Sequence, residues 1–486
     1  MTRRDLNNEA IDVVEEAEAA QNSEHLRRSL SNRHIQLIAI GGAIGTGLFM
    51  GSGKSIHTAG PSILLVYTII GFMLYFVMRA MGELLLFKLE YKSFQDFAAD
   101  LLGPWAGFLL GWTYWATWTV IGMADIIAIT GYWNHWVKNQ TISMILAVTL
   151  MLVLLGINML TVKLFGEMEF WLSIIKLVAI GALVVVAACM VITGFTSPDG
   201  TKASVAHIWS HGGLFPTGFP GFLGGFQLAI FAFVGIELVG TTAAETKDPT
   251  VTLPRAINSI PVRVLLFYVV ALAAIMCVIP WDEVNPNKSP FVNLFTLMGL
   301  TTAASLMNFV VLSSASSSCN SGIYSTSRML YGLAHKKMAP QAFGRLTRHG
   351  VPWIGLILTV ALICASLALT ASSGIMRAFT IVTTISSVLF IVVWAIILVC
   401  YLVYLRRYPE AHQNSVYRMP GARVMPWVVL AFFVFALVAL GFDHDTLIAM
   451  AVTPIWFVIL GIAWFRVRGR VSADDASVDD IVPQQS

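Results

Sequence analysis

Charge-free apolar segments constrain this chain more than any other feature of its sequence. Residues 360–369 and 388–403 are two examples, and each extends readily to about 20 residues. A helix of that length crosses the ~30 Å hydrocarbon core of a bilayer. Only 12% of the 486 residues are charged and 57% are hydrophobic, whereas soluble proteins average about 25% charged residues. We therefore expect an all-α polytopic membrane protein and not a water-soluble enzyme.

Separating the apolar segments at clusters of charge predicts twelve transmembrane helices. Their approximate bounds are 35–57, 62–86, 104–134, 142–164, 168–195, 221–244, 260–280, 301–332, 353–371, 376–404, 425–442 and 447–466. We expect a transmembrane domain at residues 34–468, between a disordered cytoplasmic tail at 1–33 and a cytoplasmic tail at 469–486.

The distribution of positive charge predicts the orientation of these spans. An even number of spans places both termini on one side of the membrane. If that side is the cytoplasm, the inner segments and adjoining span ends hold 24 of the 30 Lys and Arg residues, and the outer loops hold five. This asymmetry follows the positive-inside rule.

Two spans contain glycine-rich segments that disfavour a continuous helix. Four glycines lie among residues 41–47 of span 1, and span 6 carries Gly224 and Gly225 before the deeper segment 231–237. Each glycine inside a helix costs about 1 kcal/mol relative to alanine. Close packing of small residues is one explanation. The other is a pair of broken helices that line a transporter binding site.

The positions of spans 1 and 6 favour the second explanation. They would be equivalent members of two five-helix repeats, at about 35–195 and 221–404, with two extra helices at about 425–466. The N-terminus of a half-helix attracts an anion, and the C-terminus of a half-helix attracts a cation. An α-amino acid carries both charges and is therefore the expected ligand.

Ionisable residues inside the spans mark further candidate sites. Lys176 lies about ten residues into span 5, where a lysine costs roughly 2.5–3.5 kcal/mol; it either exchanges protons or snorkels to the interface. Asp125 in span 3 is a functional or a structural carboxylate. Glu237 either titrates or braces the break in span 6. Glu83, near Arg79 at the inner end of span 2, favours a structural or gating ion pair.

Serines at 313–318 of span 8 offer hydroxyl groups at mid-membrane depth. They either hold helices together or, if span 8 faces spans 1 and 5, bind a sodium ion or the ammonium group of Lys176. A sodium ion and that ammonium would compete for one pocket, so the lysine favours proton coupling. The sequence has no P-loop, Walker or G-x-S-x-G motif and no metal-ligand spacing. We expect no enzymatic activity, metal or other cofactor.

The residues around these features resemble the amino acid permeases of the amino acid/polyamine/organocation superfamily. The resemblance extends from about residue 27 to 468, and it is carried by residues 32–49, 59–61 with 81–83, 166–171, 231–237, and 244–249 with 253–257. Residues 90–94 and 239–245 look most like the bacterial branch that transports D-serine, D-alanine and glycine. The resemblance implies the leucine-transporter fold, in which a helix bundle rocks against a scaffold.

The resemblance also implies roles for individual residues. The substrate-binding set would be Ala43, Ile44, Gly45, Thr46, Gly47, Phe231, Val234 and Asp125. In this set, the N–H groups of residues 45–47 meet the substrate carboxylate, and the carbonyls of residues 43, 231 and 234 meet the amine. Phe231 would also gate the site. Asp125 replaces a glutamate of many relatives, which leaves its role in selection open.

A second implied set serves coupling and gating, and it comprises Lys176, Glu237, Ser314 and Ser318. In proton-coupled relatives the matching lysine of span 5 takes the place of a sodium ion and contacts a carbonyl of span 1. The hypothesis is a symporter that imports D-alanine, D-serine and glycine with protons across the bacterial inner membrane. Its partners would be the amino acid and membrane lipid, without nucleic acid; the oligomeric state does not follow from the sequence. An exchanger, a permease for L-alanine or γ-aminobutyrate, and, more remotely, an amino-acid-sensing receptor are the alternatives.

Overall fold

A computed structural model of the protein describes residues 44–91, 93–160, 162–198, 200–241, 248–442 and 444–479. Within these ranges every regular element is helical, and one isolated β-bridge joins Thr196 to Lys202. The predicted all-α class is confirmed at this level. The predicted N-terminal tail and Ala43 lie outside the described residues.

The α-helices are numbered here in chain order. They are α1 (Thr46–Phe49), α2 (Gly51–Ala59), α3 (Ile63–Phe87), α4 (Phe94–Leu102), α5 (Pro104–Trp133), α6 (Gln140–Leu160), α7 (Val162–Thr193), α8 (His207–Ser210), α9 (Gly218–Ala232), α10 (Leu238–Thr241), α11 (Pro249–Asn258), α12 (Ile260–Val264), α13 (Ala271–Val278), α14 (Pro290–Leu297), α15 (Thr301–His335), α16 (Trp353–Ala365), α17 (Leu367–Ser373), α18 (Ile375–Arg407), α19 (Pro409–Asn414), α20 (Met425–Leu440) and α21 (His444–Asp479). A π-helical turn at Leu265–Val270 joins α12 to α13.

Seven helical segments of the described chain are long and apolar enough to cross a membrane. They are Gly51–Phe87, Gln140–Leu160, Glu167–Thr193, Pro249–Val278, Trp353–Ser373, Ile375–Arg407 and Thr446–Arg470. A protein with several such helices is a multi-pass membrane protein.

The peripheral helices bury one narrow face and turn the rest of their apolar surface outward. Helix α6 shows this clearly, because its buried residues recur every three or four positions; they are Ser143, Ala147, Met151, Leu154 and Asn158. That spacing is one stripe of a helix. The remaining surface includes Ile145 and Leu152, which are both exposed and suit a lipid environment.

Helix α15 is long but less apolar, because it lies inside the bundle. It packs along α5 and also against α7 and α16. Its buried residues include every residue from 310 to 324. A helix surrounded by protein needs no lipid-compatible surface, so the serines at 313–318 are tolerated at this depth.

The two glycine-rich spans are interrupted in the structure. In span 1, Gly45 is extended immediately before α1, and in span 6 a turn at residues 233–237 separates α9 from α10. Gly235 in that turn has φ of +102°, a conformation that glycine adopts without a steric penalty. Gly225, by contrast, lies within α9, where an added Cβ would come 2.9 Å from the Cβ of Ala59. Glycine therefore serves both predicted purposes in the same span: close packing at 225 and a break at 235.

Helix α21 extends beyond the predicted final span. The prediction ended that span at 466, whereas the helix continues to Asp479 and so enters the segment assigned to a C-terminal tail. Residues 470–479 contain no proline or glycine, so nothing local terminates the helix where its sequence becomes charged.

The end of the molecule predicted to face the cytoplasm is closed by the segment after α18. The Glu83 carboxylate, 1% exposed, accepts hydrogen bonds from Tyr401 Oη at 2.7 Å and from the Met419 N–H at 2.8 Å. His412 Nδ1 lies 2.6 Å from its other oxygen. We call these four residues the Glu83 cluster. The expected pairing with Arg79 is replaced by these contacts, because the Glu83 side chain points into the bundle.

Arg79 instead holds the same segment from outside. Its guanidinium stacks 3.8 Å above the Tyr417 ring and donates to Asn258 Oδ1 at 3.0 Å. Burial raises the pKa of Tyr417 to about 12. Its hydroxyl therefore stays protonated at neutral pH and donates to the same Asn258 oxygen at 3.0 Å.

Candidate functional site

The start of α1 and the end of α9 lie side by side in the centre of the protein. Gly45 precedes α1 in an extended conformation, with φ of −126° and ψ of −158°. The first hydrogen bond of α1 runs from the Phe49 N–H to the Gly45 carbonyl, so the N–H groups of residues 46–48 precede the helical bonding. An added Cβ on Gly47 would lie 2.6 Å from Ala232 Cα. Only glycine permits this approach of the two helix ends.

A small cavity lies between these two helix ends. It leaves about 10 Å³ for the centre of a water-sized molecule, which is room for about one water. Its lining comprises Gly45, Thr46, Gly47, Trp118, Ile121, Phe231, Ala232, Val234 and Ser318. Most of the predicted substrate-binding residues therefore meet at one place, and the helix ends must separate before an amino acid can enter.

Phe231 forms part of the cavity wall and is 4% exposed. Its ring contacts Phe379 of α18 edge-on, with the centroids 6.0 Å apart. The neighbouring Ala232 carbonyl is already occupied, since it accepts a hydrogen bond from Tyr268 Oη at 2.8 Å. That bond anchors the end of α9 to the π-helical turn.

Asp125 lies behind Thr46 and does not belong to the cavity lining. Thr46 Oγ1 donates to Asp125 Oδ1 at 2.7 Å, and both side chains are buried. Ser318 also interacts with this carboxyl group. Asp125, which was predicted to bind substrate, thus contacts the cavity lining through the Thr46 hydroxyl.

Lys176 is fully buried and reaches from α7 to the start of α1. Its Nζ donates to the Ile44 carbonyl at 3.1 Å and to Ser317 Oγ at 3.0 Å. Ser314 Oγ donates to the same Ile44 carbonyl at 3.0 Å. Ile44, predicted as a substrate residue, thus directs its carbonyl to the lysine and serine and does not line the cavity.

The serines of α15 divide according to the face of the helix they occupy. Ser313 and Ser316 donate to carbonyls of their own helix, at Val310 and Leu312. Residues 314, 317 and 318 face the predicted site, consistent with a spacing of three or four residues. Of the two serines predicted to serve coupling, Ser314 contacts Ile44 and Ser318 lines the cavity. The serine to which Lys176 donates is Ser317.

Glu237 lies in the turn between α9 and α10. Its Oε2 accepts the Gly235 N–H at 3.1 Å, and its carboxyl group also interacts with the indoles of Trp118 and Trp394. Among the two predicted roles, this geometry favours bracing of the broken helix.

Several residues of the site were not singled out by the sequence. The cavity lining adds Trp118, Ile121 and Ala232, which carry neither a charge nor a glycine to mark them. Glu169 is fully buried and accepts a hydrogen bond from Ser317. Its spacing of seven residues from Lys176 is a signal that could have found it, because two turns of a helix return to the same face. The described residues include no group of three His, Cys, Asp or Glu side chains that could hold a metal ion.

Comparison of the sequence with known proteins identifies the family of this chain. The model of the amino acid permease family matches residues 34–474. The D-serine/D-alanine/glycine transporter of Escherichia coli (strain K12) is 58% identical over 450 residues, which cover 92% of this chain and 96% of that protein. Amino-acid permease AapA of Bacillus subtilis (strain 168) is 49% identical over 448 residues, with 92% and 96% covered. A probable threonine/serine transporter of the same organism is 38% identical over 443 residues, with 91% and 95% covered. The family expected from the motifs is confirmed: the chain belongs to the amino acid permease family and is a membrane transporter, not an enzyme.

Proposed function

We propose that the protein imports D-alanine, D-serine and glycine by symport with protons across the bacterial cytoplasmic membrane. The observation that carries this proposal is the buried ammonium of Lys176 on the Ile44 carbonyl, directly beside a cavity between two broken helices. The similarity to a transporter named for these three substrates supports the substrate class.

The substrate binds by its two charged groups. The free N–H groups at the start of α1 face the carboxylate, aided by the positive end of the helix. The carbonyls of Phe231 and Val234 at the end of α9 face the amine. Ala43, whose structure is not described, was predicted to add a third carbonyl. Asp125 acts on this pocket through Thr46.

The walls of the cavity favour small substrates. Trp118, Ile121 and Phe231 surround a space that admits about one water. A methyl or hydroxymethyl side chain requires little further displacement of these walls, whereas a branched or aromatic side chain requires several of them to move.

The membrane topology comprises twelve spans, with two inverted five-helix repeats, two extra helices and both termini in the cytoplasm. Two observations support it. A helix of the structure lies within each predicted span, and the interruptions fall in the first helix of each predicted repeat, as in other transporters with broken helices.

Proton coupling follows from the position of Lys176. While protonated, the ammonium holds the start of α1 against α7 and α15 through Ile44 and Ser317. Loss of the proton weakens that connection, because a charged donor bonds more strongly than a neutral one. Sodium is the less favoured coupling ion, since the ammonium occupies the space between these acceptors.

Uptake of radiolabelled D-alanine into proteoliposomes tests this function. We expect accumulation of at least about fivefold with an inward pH gradient, and none with a sodium gradient alone, because the coupling charge is a proton on Lys176. Lys176→Ala abolishes accumulation, whereas Lys202→Ala, at an exposed loop lysine, leaves it unchanged.

Two results would contradict the proposal. Uptake that follows sodium and ignores protons removes proton coupling. Uptake that occurs only into liposomes preloaded with amino acid identifies an exchanger instead. Competition by a panel of D- and L-amino acids against labelled glycine then defines the substrate range.

A further inference from the structure

The geometry points to Glu169 as a second proton site of the transport cycle, which receives through Ser317 the proton that Lys176 releases toward the cytoplasm. This inference rests on the proposed proton-coupled function. It assigns a role to a buried carboxylate that contacts neither the cavity nor the broken helices.

A continuous chain of hydrogen bonds joins the two ionisable groups. Lys176 Nζ donates to Ser317 Oγ at 3.0 Å, and the same hydroxyl donates to Glu169 Oε1. Lys176 and Glu169 both belong to α7 and are seven residues apart, which is about 10 Å along the axis on one helix face. Ser317 enters from α15 and bridges that distance. All three side chains are buried, with relative exposures of 0%.

The surroundings of Glu169 suit a carboxyl group that changes its protonation. On its own helix it faces the charge of Lys176. From α15 it interacts with the neutral side chains of Ser317, Asn320 and Ser321. Asn158 of α6 holds the Asn320 side chain in turn, because its Nδ2 donates a hydrogen bond to Asn320 Oδ1 at 2.6 Å. These neutral groups can hydrogen-bond to either form of the acid, because hydroxyl and amide groups both donate and accept.

The other charged group near this chain is Asp125, which faces Lys176 from α5. It lies on the substrate side of the lysine, bound to Thr46. Lys176 is therefore flanked by two carboxyl groups, one connected to the substrate cavity and one connected to Ser317.

The proton transfer balances without any other reactant. The Lys176 ammonium gives a proton to Ser317 Oγ while the Ser317 hydroxyl gives its own proton to Glu169. One N–H bond and one O–H bond break, and two O–H bonds form. A buried ion pair becomes a neutral amine and a neutral acid, so the net charge of the site does not change.

The direction of transfer follows from the course of α7. This helix starts at Val162, at the end predicted to be cytoplasmic, so Glu169 lies closer to the cytoplasm than Lys176. The neutral amine then holds the Ile44 carbonyl less strongly, and the start of α1 is released as the proton moves inward.

Transport by Glu169→Gln in proteoliposomes tests the inference, with two assays on each preparation. Accumulation of D-alanine under an inward pH gradient requires proton release, whereas counterflow of labelled for unlabelled D-alanine requires no net proton movement. We expect Glu169→Gln to lower accumulation at least tenfold and to retain counterflow. Glu167→Gln, at a half-buried glutamate on the same helix, serves as the matched control and behaves like the wild type.

A pair of substitutions at Ser317 tests the bridge separately. Ser317→Thr keeps a hydroxyl group and Ser317→Ala removes it, so we expect accumulation only by the threonine variant. Equal accumulation by the two variants overturns the relay.

If Glu169→Gln also loses counterflow because it misfolds, Glu169→Asp is the deciding variant. Accumulation of D-alanine by Glu169→Asp supports an acid that titrates at this position. Counterflow by Glu169→Asp without accumulation overturns it.

These results are separable from the proposed function itself. If the wild type ignores the pH gradient, proton symport fails and the relay with it. If the wild type is proton-driven and Lys176→Ala is inactive, but Glu169→Gln accumulates D-alanine normally, only the relay is wrong.

Discussion

Asp125 shows how a buried carboxyl group can act on a binding site that it does not touch. Its Oδ1 fixes the Thr46 hydroxyl at 2.7 Å, and Thr46 lines the cavity at the start of α1. Its charge also acts on Lys176. The carboxyl group thus connects the proposed substrate pocket with Lys176, through a hydrogen bond on one side and an electrostatic interaction on the other.

Replacement of Asp125 by asparagine separates its charge from its shape. The amide oxygen of Asp125→Asn still accepts the Thr46 hydrogen bond, but the negative charge is gone. Hydrogen bonds to charged groups contribute about 1.5–3 kcal/mol, so we expect the KM for glycine uptake to rise about tenfold, which corresponds to about 1.4 kcal/mol. The measurement is initial-rate uptake over a range of glycine concentrations.

The control for this prediction is Thr130→Val on the same helix. Thr130 is buried like Asp125, but its hydroxyl bonds only to the Ile126 carbonyl one turn earlier. We expect its KM to stay within about twofold of the wild type. An Asp125→Asn variant that matches this control would assign Asp125 a purely structural role.

The individual residues differ in how far the sequence could predict them. Lys176 was identifiable because one charge in a long apolar span is expensive and therefore rarely accidental. The choice of Ser317 over its neighbours depends on the rotation of α15 about its axis, which no local pattern encodes. Glu169 lies near the end of a predicted span, where a carboxylate is ordinary, and its burial becomes apparent only when α15 covers it.

Helices α1 and α9 meet at a point where one glycine makes the contact possible. Besides the contact with Ala232 Cα, a Cβ on Gly47 would lie 2.9 Å from the Phe231 ring. Gly51, four residues later, has ordinary surroundings: its nearest neighbour would be Leu228 Cβ at 3.5 Å. The two glycines therefore offer a matched comparison within one interrupted span.

We predict that Gly47→Ala lowers D-alanine uptake more than tenfold, whereas Gly51→Ala lowers it less than about twofold. Overpacking of a tight contact costs about 1–3 kcal/mol, and in Gly47→Ala it forces apart the walls of the proposed substrate cavity. Uptake assays and thermal unfolding in detergent measure the two effects. Equal uptake by the two variants would show that the close approach of α1 and α9 is not required for transport.

At the level of elements, a long apolar segment is a clearer signal than the position of a break. The length of such a segment is set by the thickness of the bilayer, and seven helical segments of the described chain are long and apolar enough to cross one. The break in span 6 was less defined, because the sequence offers two glycine positions. The structure uses Gly225 for packing against Ala59 and Gly235 for the turn, a distinction that depends on which helix lies opposite.

The whole molecule is closed at one end by the Glu83 cluster. Three donors from three parts of the chain converge on one carboxylate, which joins α3 to α18, α19 and the segment before α20. Contacts of this kind form a gate when they break and reform during a transport cycle. We expect these bonds to separate when the site opens toward the cytoplasm.

We predict that Glu83→Gln destabilises the closed form. A hydrogen bond to a charged group contributes about 1.5–3 kcal/mol, so weakening those to Glu83 lowers the unfolding temperature in detergent and decreases the accumulation ratio of D-alanine several-fold. Glu410→Gln, at an exposed position of α19, is the matched control and leaves both values unchanged. A Glu83→Gln protein with wild-type stability and accumulation would exclude the gate.

The partners of Glu83 could not have been predicted from the sequence, although its position favoured a structural or gating role. Glu83 and Met419 are 336 positions apart, and neither carries a mark of the contact; the nearest expected partner of Glu83 was Arg79. The orientation predicted for the spans, in contrast, rests on charge counts alone and stays a prediction. The all-helical class could be predicted from composition, whereas contacts that arise from long-range packing require the fold.

The bond between Lys176 and Ile44 has a consequence for the conditions in which such a carrier works. A sodium ion must be recruited from solution, and its site empties when the surrounding concentration falls below the dissociation constant. An ammonium on a side chain is tethered, so its local concentration is fixed by geometry and never diluted. Only its proton is exchanged with the medium. The proposed coupling through Lys176 therefore predicts transport that responds to acidity and does not depend on the sodium concentration of the environment.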